Sequence, residues 1–176
     1  MIKNSRAQVW IETVIYTLIA FVMIAAVLAY AKPKIEEFQD KAVIDQSLQM
    51  VKEIDNIVLS VIRGGAGNKR IIEIGITKGE LTIDSENDKI FFEVLGKNTY
   101  SEPGVEISDG NVNILTLEKG EDRVVRITRD YSESYNITYL SEENSKILTE
   151  SPTSYKLSVS NLGKVNDTIQ IDFEVI

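Results

Sequence analysis

This chain holds no cysteine and no histidine, which removes thiol nucleophiles, disulfide frameworks, Cys/His zinc sites and Ser-His-Asp triads as chemistry it can perform alone. Carboxylates remain, and one of them is oddly placed. Glu12 stands at the mouth of an apolar run, Thr13 to Ala31, in which no residue carries a charge. Moving an ionised acid to the bilayer centre costs on the order of 3 kcal/mol, so acids at membrane depth are rare and are usually paired. The chemistry open to Glu12 is therefore ion pairing with a positive partner.

Other polar groups offer weaker chemistry. The run Asp84-Ser85-Glu86-Asn87-Asp88 sets acids at alternate positions, as hard-cation loops do, but Lys89 replaces the glycine and Leu95 the acid of an EF-hand. A polar hairpin turn is the expected reading, with no metal. Asn136-Ile137-Thr138 and Asn166-Asp167-Thr168 are acceptor motifs for N-linked sugars if this part of the chain lies outside the cell. Asn166 falls in an expected turn; Asn136 falls in an expected strand and must point outward to qualify. Tyr131, Tyr135, Tyr139 and Tyr155 suit either a binding face or cross-strand packing, packing being the commoner use. Gly64-Gly65-Ala66-Gly67 lacks the Lys-Ser/Thr ending of a phosphate loop. No spacing points to a catalytic residue or a cofactor.

The elements that position Glu12 start with the run itself. At 1.5 Å per residue it covers close to the ~30 Å of a hydrocarbon core, which makes it a spanning-helix candidate. A secretory signal peptide competes, with Lys3 and Arg6 as its basic end. The run is longer than a signal core of roughly 7–15 residues, and Ala26, Ala29 and Ala31 lead into helix-compatible sequence rather than a loop. A retained membrane helix is preferred over both the signal peptide and a buried core helix. Lys3 and Arg6 favour a cytoplasmic amino end, though Lys32 and Lys34 oppose them at the other boundary.

The string Arg6-Ala7-Gln8-Val9-Trp10-Ile11-Glu12, followed at once by the apolar run, resembles the precursors of archaeal type IV pilin-like proteins carrying a class III signal peptide. The resemblance implies that a dedicated membrane peptidase, the prepilin peptidase, cuts between Ala7 and Gln8 and leaves the helix on the mature chain. Many such leaders have glycine before the cut, where this chain has Ala7. Glu12 becomes the fifth mature residue, a position at which type IV pilins commonly hold a glutamate. The amine exposed on Gln8 of a neighbouring subunit then supplies its partner as helices bundle.

Beyond the run, Ile35, Phe38, Ala42, Ile44, Leu48, Val51, Ile54, Val58 and Val61 recur at helical steps, while Glu36, Glu37, Asp40, Lys41, Lys52, Glu53 and Asp55 fall elsewhere. The pattern predicts an amphipathic helix ended by Gly64, Gly65 and Gly67. Pro33 predicts a kink or a short melted stretch where the two helical parts meet. Counted from Gln8 to Ile62, one nearly continuous helix would be about 80 Å long. From residue 68 the chain alternates with period two in many short segments, most clearly Ile169, Ile171, Phe173 and Val175. Asp109-Gly110, Pro103-Gly104 and Leu162-Gly163 read as turns between them.

The expected fold is α+β, a long amino-terminal hydrophobic helix or stalk followed by an antiparallel β-sandwich-like head. Its expected segments are a basic leader 1–7, a membrane or filament-core helix 8–33, an amphipathic helix with a Gly-rich linker 34–67 and an extracellular head 68–176. Acids outnumber bases 27 to 19, for a net charge of −8. That disfavours nucleic acid, whose phosphates need clustered Lys and Arg. The resemblance implies a structural subunit of a surface filament, in the membrane as a precursor and partnered through its helix by copies of itself or related pilins. Adhesion and glycosylation belong to the same implication. The alternative is a monomeric single-pass anchor whose extracellular head binds a ligand or partner.

Overall fold

A computed structural model describes residues 5–97, 100–120 and 122–176, with side chains from residue 9 onward. One helix, α1, runs Ser5–Arg63, and ten strands follow. The chain divides into two compact units, Met1–Gln39 and Asp40–Ile176. The architecture is the expected α+β, one long amino-terminal helix and a β-rich head.

In the first unit the helix continues through Pro33, so the backbone shows no melted stretch there. Proline removes only its own N–H from the ladder, and the flanking turns hold. The hydroxyls of Thr13 and Thr17 bond back to the carbonyls of Val9 at 2.9 Å and of Thr13 at 2.7 Å.

In the second unit the helix supplies the stripe Ile44, Leu48, Val51, Ile54, Val58 and Val61, all buried in one core with residues of both sheets. Ile35, Phe38 and Ala42 do not join it; all three are exposed. Ala42 lies two residues, about 200° of helical turn, from Ile44, which places it off the stripe. Ile35 and Phe38 belong to the first unit. The helix stops at Arg63 and Gly64, where the Gly64 N–H still reaches the Ser60 carbonyl at 3.1 Å.

The strands are β1 (Lys69–Ile74), β2 (Glu80–Asp84), β3 (Lys89–Gly96), β4 (Glu106–Asp109), β5 (Val112–Lys119), β6 (Asp122–Asp130), β7 (Tyr135–Tyr139), β8 (Lys146–Thr149), β9 (Tyr155–Val165) and β10 (Thr168–Val175). They form a four-stranded sheet ordered β1-β9-β10-β7 and a six-stranded sheet ordered β4-β5-β6-β3-β2-β8. Alternation explains which face each strand buries. Ile90, Phe92 and Val94 of β3 are buried, as are Val125 and Ile127 of β6, while the residues between them are partly open.

Three features depart from a simple antiparallel reading. β7 pairs in parallel with β10, because β8 and β9 intervene and return the chain on the same heading, as a parallel neighbour requires. Leu162-Gly163 is not a turn. It lies inside β9, where the pairing with β10 shifts register between Gln170 and Ile171, so Leu162 is the extra residue of a β-bulge. Gly163 there has φ 98°, a backbone that L side chains rarely adopt. Third, β8 is a strand that no alternation in the sequence announces. It is a four-residue edge strand in which only Leu148 is buried, too short to show a period.

Asp40, the first residue of the second unit, ties the helix to the strand ends. Its carboxylate accepts Lys78 Nζ at 2.6 Å and the Lys97 backbone N–H at 3.2 Å. A Cβ on Gly96 would stand 2.8 Å from Asp40 Oδ2, so a larger residue there would have to push this carboxylate aside.

Candidate assembly and membrane interface

The side chains that bear on function separate into an apolar helix, the asparagines of two sequons and buried polar clusters. On the helix, the large apolar residues from Val9 to Tyr30 are all exposed. By length and composition this is a helix able to cross a membrane. Its threonine hydroxyls already bond to its own carbonyls, which removes the penalty of bringing them into hydrocarbon. Glu12 is exposed on this helix, four residues beyond Gln8 and so one turn along the same face. The side chains of Arg6, Ala7 and Gln8, and all of Lys3, lie outside the described residues, so the expected cleavage position is described only as helical backbone.

The two sequon asparagines differ in setting. Asn166 and Asp167, with φ of 50° and 68°, make the two-residue loop between β9 and β10, and Asn166, Asp167 and Thr168 are all exposed. Both left-handed residues match a type I′ hairpin, and Asn and Asp tolerate that conformation best. Asn136 lies in β7, partly buried, and its Nδ2 donates to Gln170 Oε1 at 3.4 Å.

The acids of the segment 84–88 do not converge. Asp84 accepts the Asn87 N–H at 3.3 Å and its Nδ2 at 2.9 Å, closing the β2–β3 turn, while Asp88 turns to β7 and accepts the Ile137 N–H at 2.7 Å. This is the polar hairpin the residues suggested. Among the described residues no three His, Cys, Asp or Glu side chains are grouped as a metal would need. Tyr131 is buried and the other three tyrosines pack partly buried against the core, Tyr131 and Tyr135 with ring centroids 6.3 Å apart. They serve packing.

Sequence reasoning missed a cluster around Asp55, which it placed on the polar side of the helix. Asp55 is buried, and its Oδ1 accepts Arg129 Nε at 2.7 Å with side-chain exposures of 9% and 18%. The guanidinium of Arg129 also sits 4.5 Å over the Tyr131 ring. Burial first, and the Asp55 charge second, push the Tyr131 hydroxyl well above its ordinary pKa, so it stays neutral. Lys52 meets Asp109 at 2.7 Å beside this cluster and links α1 to the β4–β5 hairpin. The signal was present: Asp55 follows Val51 by four and precedes Val58 by three, on the stripe itself.

Next to the cluster, Asp130 is desolvated in the direction that would raise its pKa. Hydrogen bonds from Ser132 and Lys89, with the Lys89 charge, outweigh this and hold it below 3.8. A depressed carboxylate stabilises the fold above its unfolded pKa, and that contribution is lost as pH falls through the lowered value. The melting-temperature gap between the native chain and Asp130→Asn is therefore expected at pH 7 and should close in strong acid. A gap that persists at low pH would assign it to packing instead.

Comparison with protein-family models, with curated proteins and with solved structures returned no match. The functional reading rests on the residues and their geometry.

Proposed function

We propose that this chain is the precursor of a structural subunit, a major or minor pilin, of an archaeal type IV pilus-like surface filament. In this reading the prepilin peptidase cuts between Ala7 and Gln8, the helix holds the subunit in the membrane with its head outside, and the mature helix then bundles with copies of itself or related pilins. The observation that carries it is the continuity of α1: the exposed apolar segment and the stripe at the centre of the head's core are one helix. Removing the apolar part as a signal peptide would cut through that element. A leader cut before Gln8 removes only the first three residues of α1 and leaves its apolar segment joined to the stripe.

Mass spectrometry of purified surface filaments tests the reading. An abundant peptide beginning at Gln8 is expected. A chain that retains Met1 and is found only in membranes would overturn it in favour of a single-pass anchored head.

An exterior head also makes its sequons available. Asn166 is the expected acceptor, because its loop is exposed and free of ladder bonds. Asn136 is expected to stay largely unmodified, since it is held against Gln170 within paired strands. Glycopeptide mapping reads both sites: a sugar on Asn166 that disappears in Asn166→Gln is the expected result, and an unmodified Asn166 beside a modified Asn136 would reverse the assignment.

A further inference from the structure

We propose that Trp10 and Tyr30 mark the two lipid–water boundaries of α1, so that the bilayer occupies the segment between them and Glu12 stands within one turn of the first boundary. The proposal rests on the membrane reading of the helix and not on filament assembly. At 1.5 Å per residue, Trp10 and Tyr30 are separated by about 30 Å along the axis, the thickness of a hydrocarbon core. Both have an apolar ring and a polar tip, the combination that settles at head-group level. Neither is used by the fold, with 70% of Trp10 and 75% of Tyr30 exposed.

The charges bracket the frame from both sides. Lys32 and Lys34 follow Tyr30 by two and four residues, and Arg6 precedes Trp10 by four. Sliding the frame one turn toward the head carries Lys32 inside the boundary, and sliding it more than one turn the other way does the same to Arg6. Either move brings a cation toward hydrocarbon, which insertion scales penalise. Tyr16 lies about 9 Å inside the first boundary, and its hydroxyl points back toward that boundary because helical side chains lean to the amino end.

This frame changes what Glu12 experiences. About 3 Å separates its level from that of Trp10, so in the membrane its carboxylate reaches the head groups and stays hydrated. The low-dielectric demand for a partner arises when the helix leaves lipid for a packed bundle, not while it spans the bilayer. Glu12 is thereby compatible with residence in the membrane and selective for assembly.

Trp10 is the single tryptophan of the chain, which lets fluorescence measure its depth directly. The full chain is reconstituted in phosphatidylcholine vesicles containing lipids brominated either near the glycerol or near the chain ends. The native protein should be quenched more by the shallow bromines. Trp10→Phe/Phe21→Trp, which moves the reporter to the middle of the frame, should be quenched more by the deep ones. Trp10→Phe/Tyr30→Trp should return to the shallow pattern. Deep quenching of Trp10 or of the indole at position 30 would overturn the frame while leaving the membrane reading intact. Failure of the native chain to float with vesicles would overturn both. Loss of filaments with the depth profile preserved would count against assembly alone, and the frame would stand.

Discussion

Replacing Glu12 by leucine or alanine should leave the precursor processed and inserted but lower its incorporation into filaments by about tenfold or more. In the proposed reading, cutting before Gln8 creates a new charge. The new α-amine would stand one turn from Glu12 along the helix, and in a bundle the amine of one subunit would meet the carboxylate of another. Removing the acid leaves that amine unpaired in a low-dielectric setting. Uncompensated buried charges cost about 3–5 kcal/mol, and about 1.4 kcal/mol already shifts an equilibrium tenfold. In the membrane the same substitution should be nearly silent, since leucine suits the apolar run. Immunoblots of sheared filaments against the membrane fraction would show this as processed subunit accumulating in membranes. Normal filaments from Glu12→Leu would remove the pairing role from the proposal.

The second large effect should come from Asp55→Ala. Arg129 would keep its charge at 18% side-chain exposure and lose the carboxylate bonded to its Nε. Breaking one side of such a pair costs about 3–5 kcal/mol, a large share of the 5–15 kcal/mol by which ordinary domains are stable. Asp55→Leu combined with Arg129→Met should recover most of the loss, because a buried pair replaced by apolar residues of similar volume is often neutral or better. Chemical denaturation of the full chain in detergent, followed by far-UV circular dichroism, measures both. A double variant no more stable than Asp55→Ala would show that the cluster contributes through packing rather than charge.

This ion pair also shows how far the sequence could be read. Asp55 sits at a stripe position of the helix, and Arg129 follows Val125 and Ile127 at period two on the inward side of β6. Each charge, taken alone, looks like an interruption of an apolar pattern. Together they are consistent, an acid and a base set on two faces that the fold brings into one core. The helical stripe and the strand alternation predicted which faces would be buried, but not that these two positions, 74 residues apart, would meet.

Elsewhere the boundary between legible and illegible runs along the same line. The turn at Asp84–Lys89, the hairpin at Asp109–Val112 and the exposed loop at Asn166 came from local chemistry, because a turn is decided by the residues inside it. Leu162-Gly163 used the same vocabulary and misled, since a glycine with positive φ serves a bulge as well as a turn and only the partner strand β10 distinguishes them. The edge strand β8 was invisible because its four residues carry no period, and pairing with β2 makes it a strand.

By itself, then, the amino-acid order determined the long helix, its uncharged segment with Glu12 at the mouth, the alternation of the head strands and the turn at Asn166. These depend on neighbours within a few residues, where helical and extended periods leave direct marks. Only the tertiary structure decided that β7 would lie parallel to β10, that Leu162 would be the extra residue of a bulge, and that Asp55 would be buried against Arg129. Those outcomes depend on which distant faces share a core, and a local period carries no record of its partner.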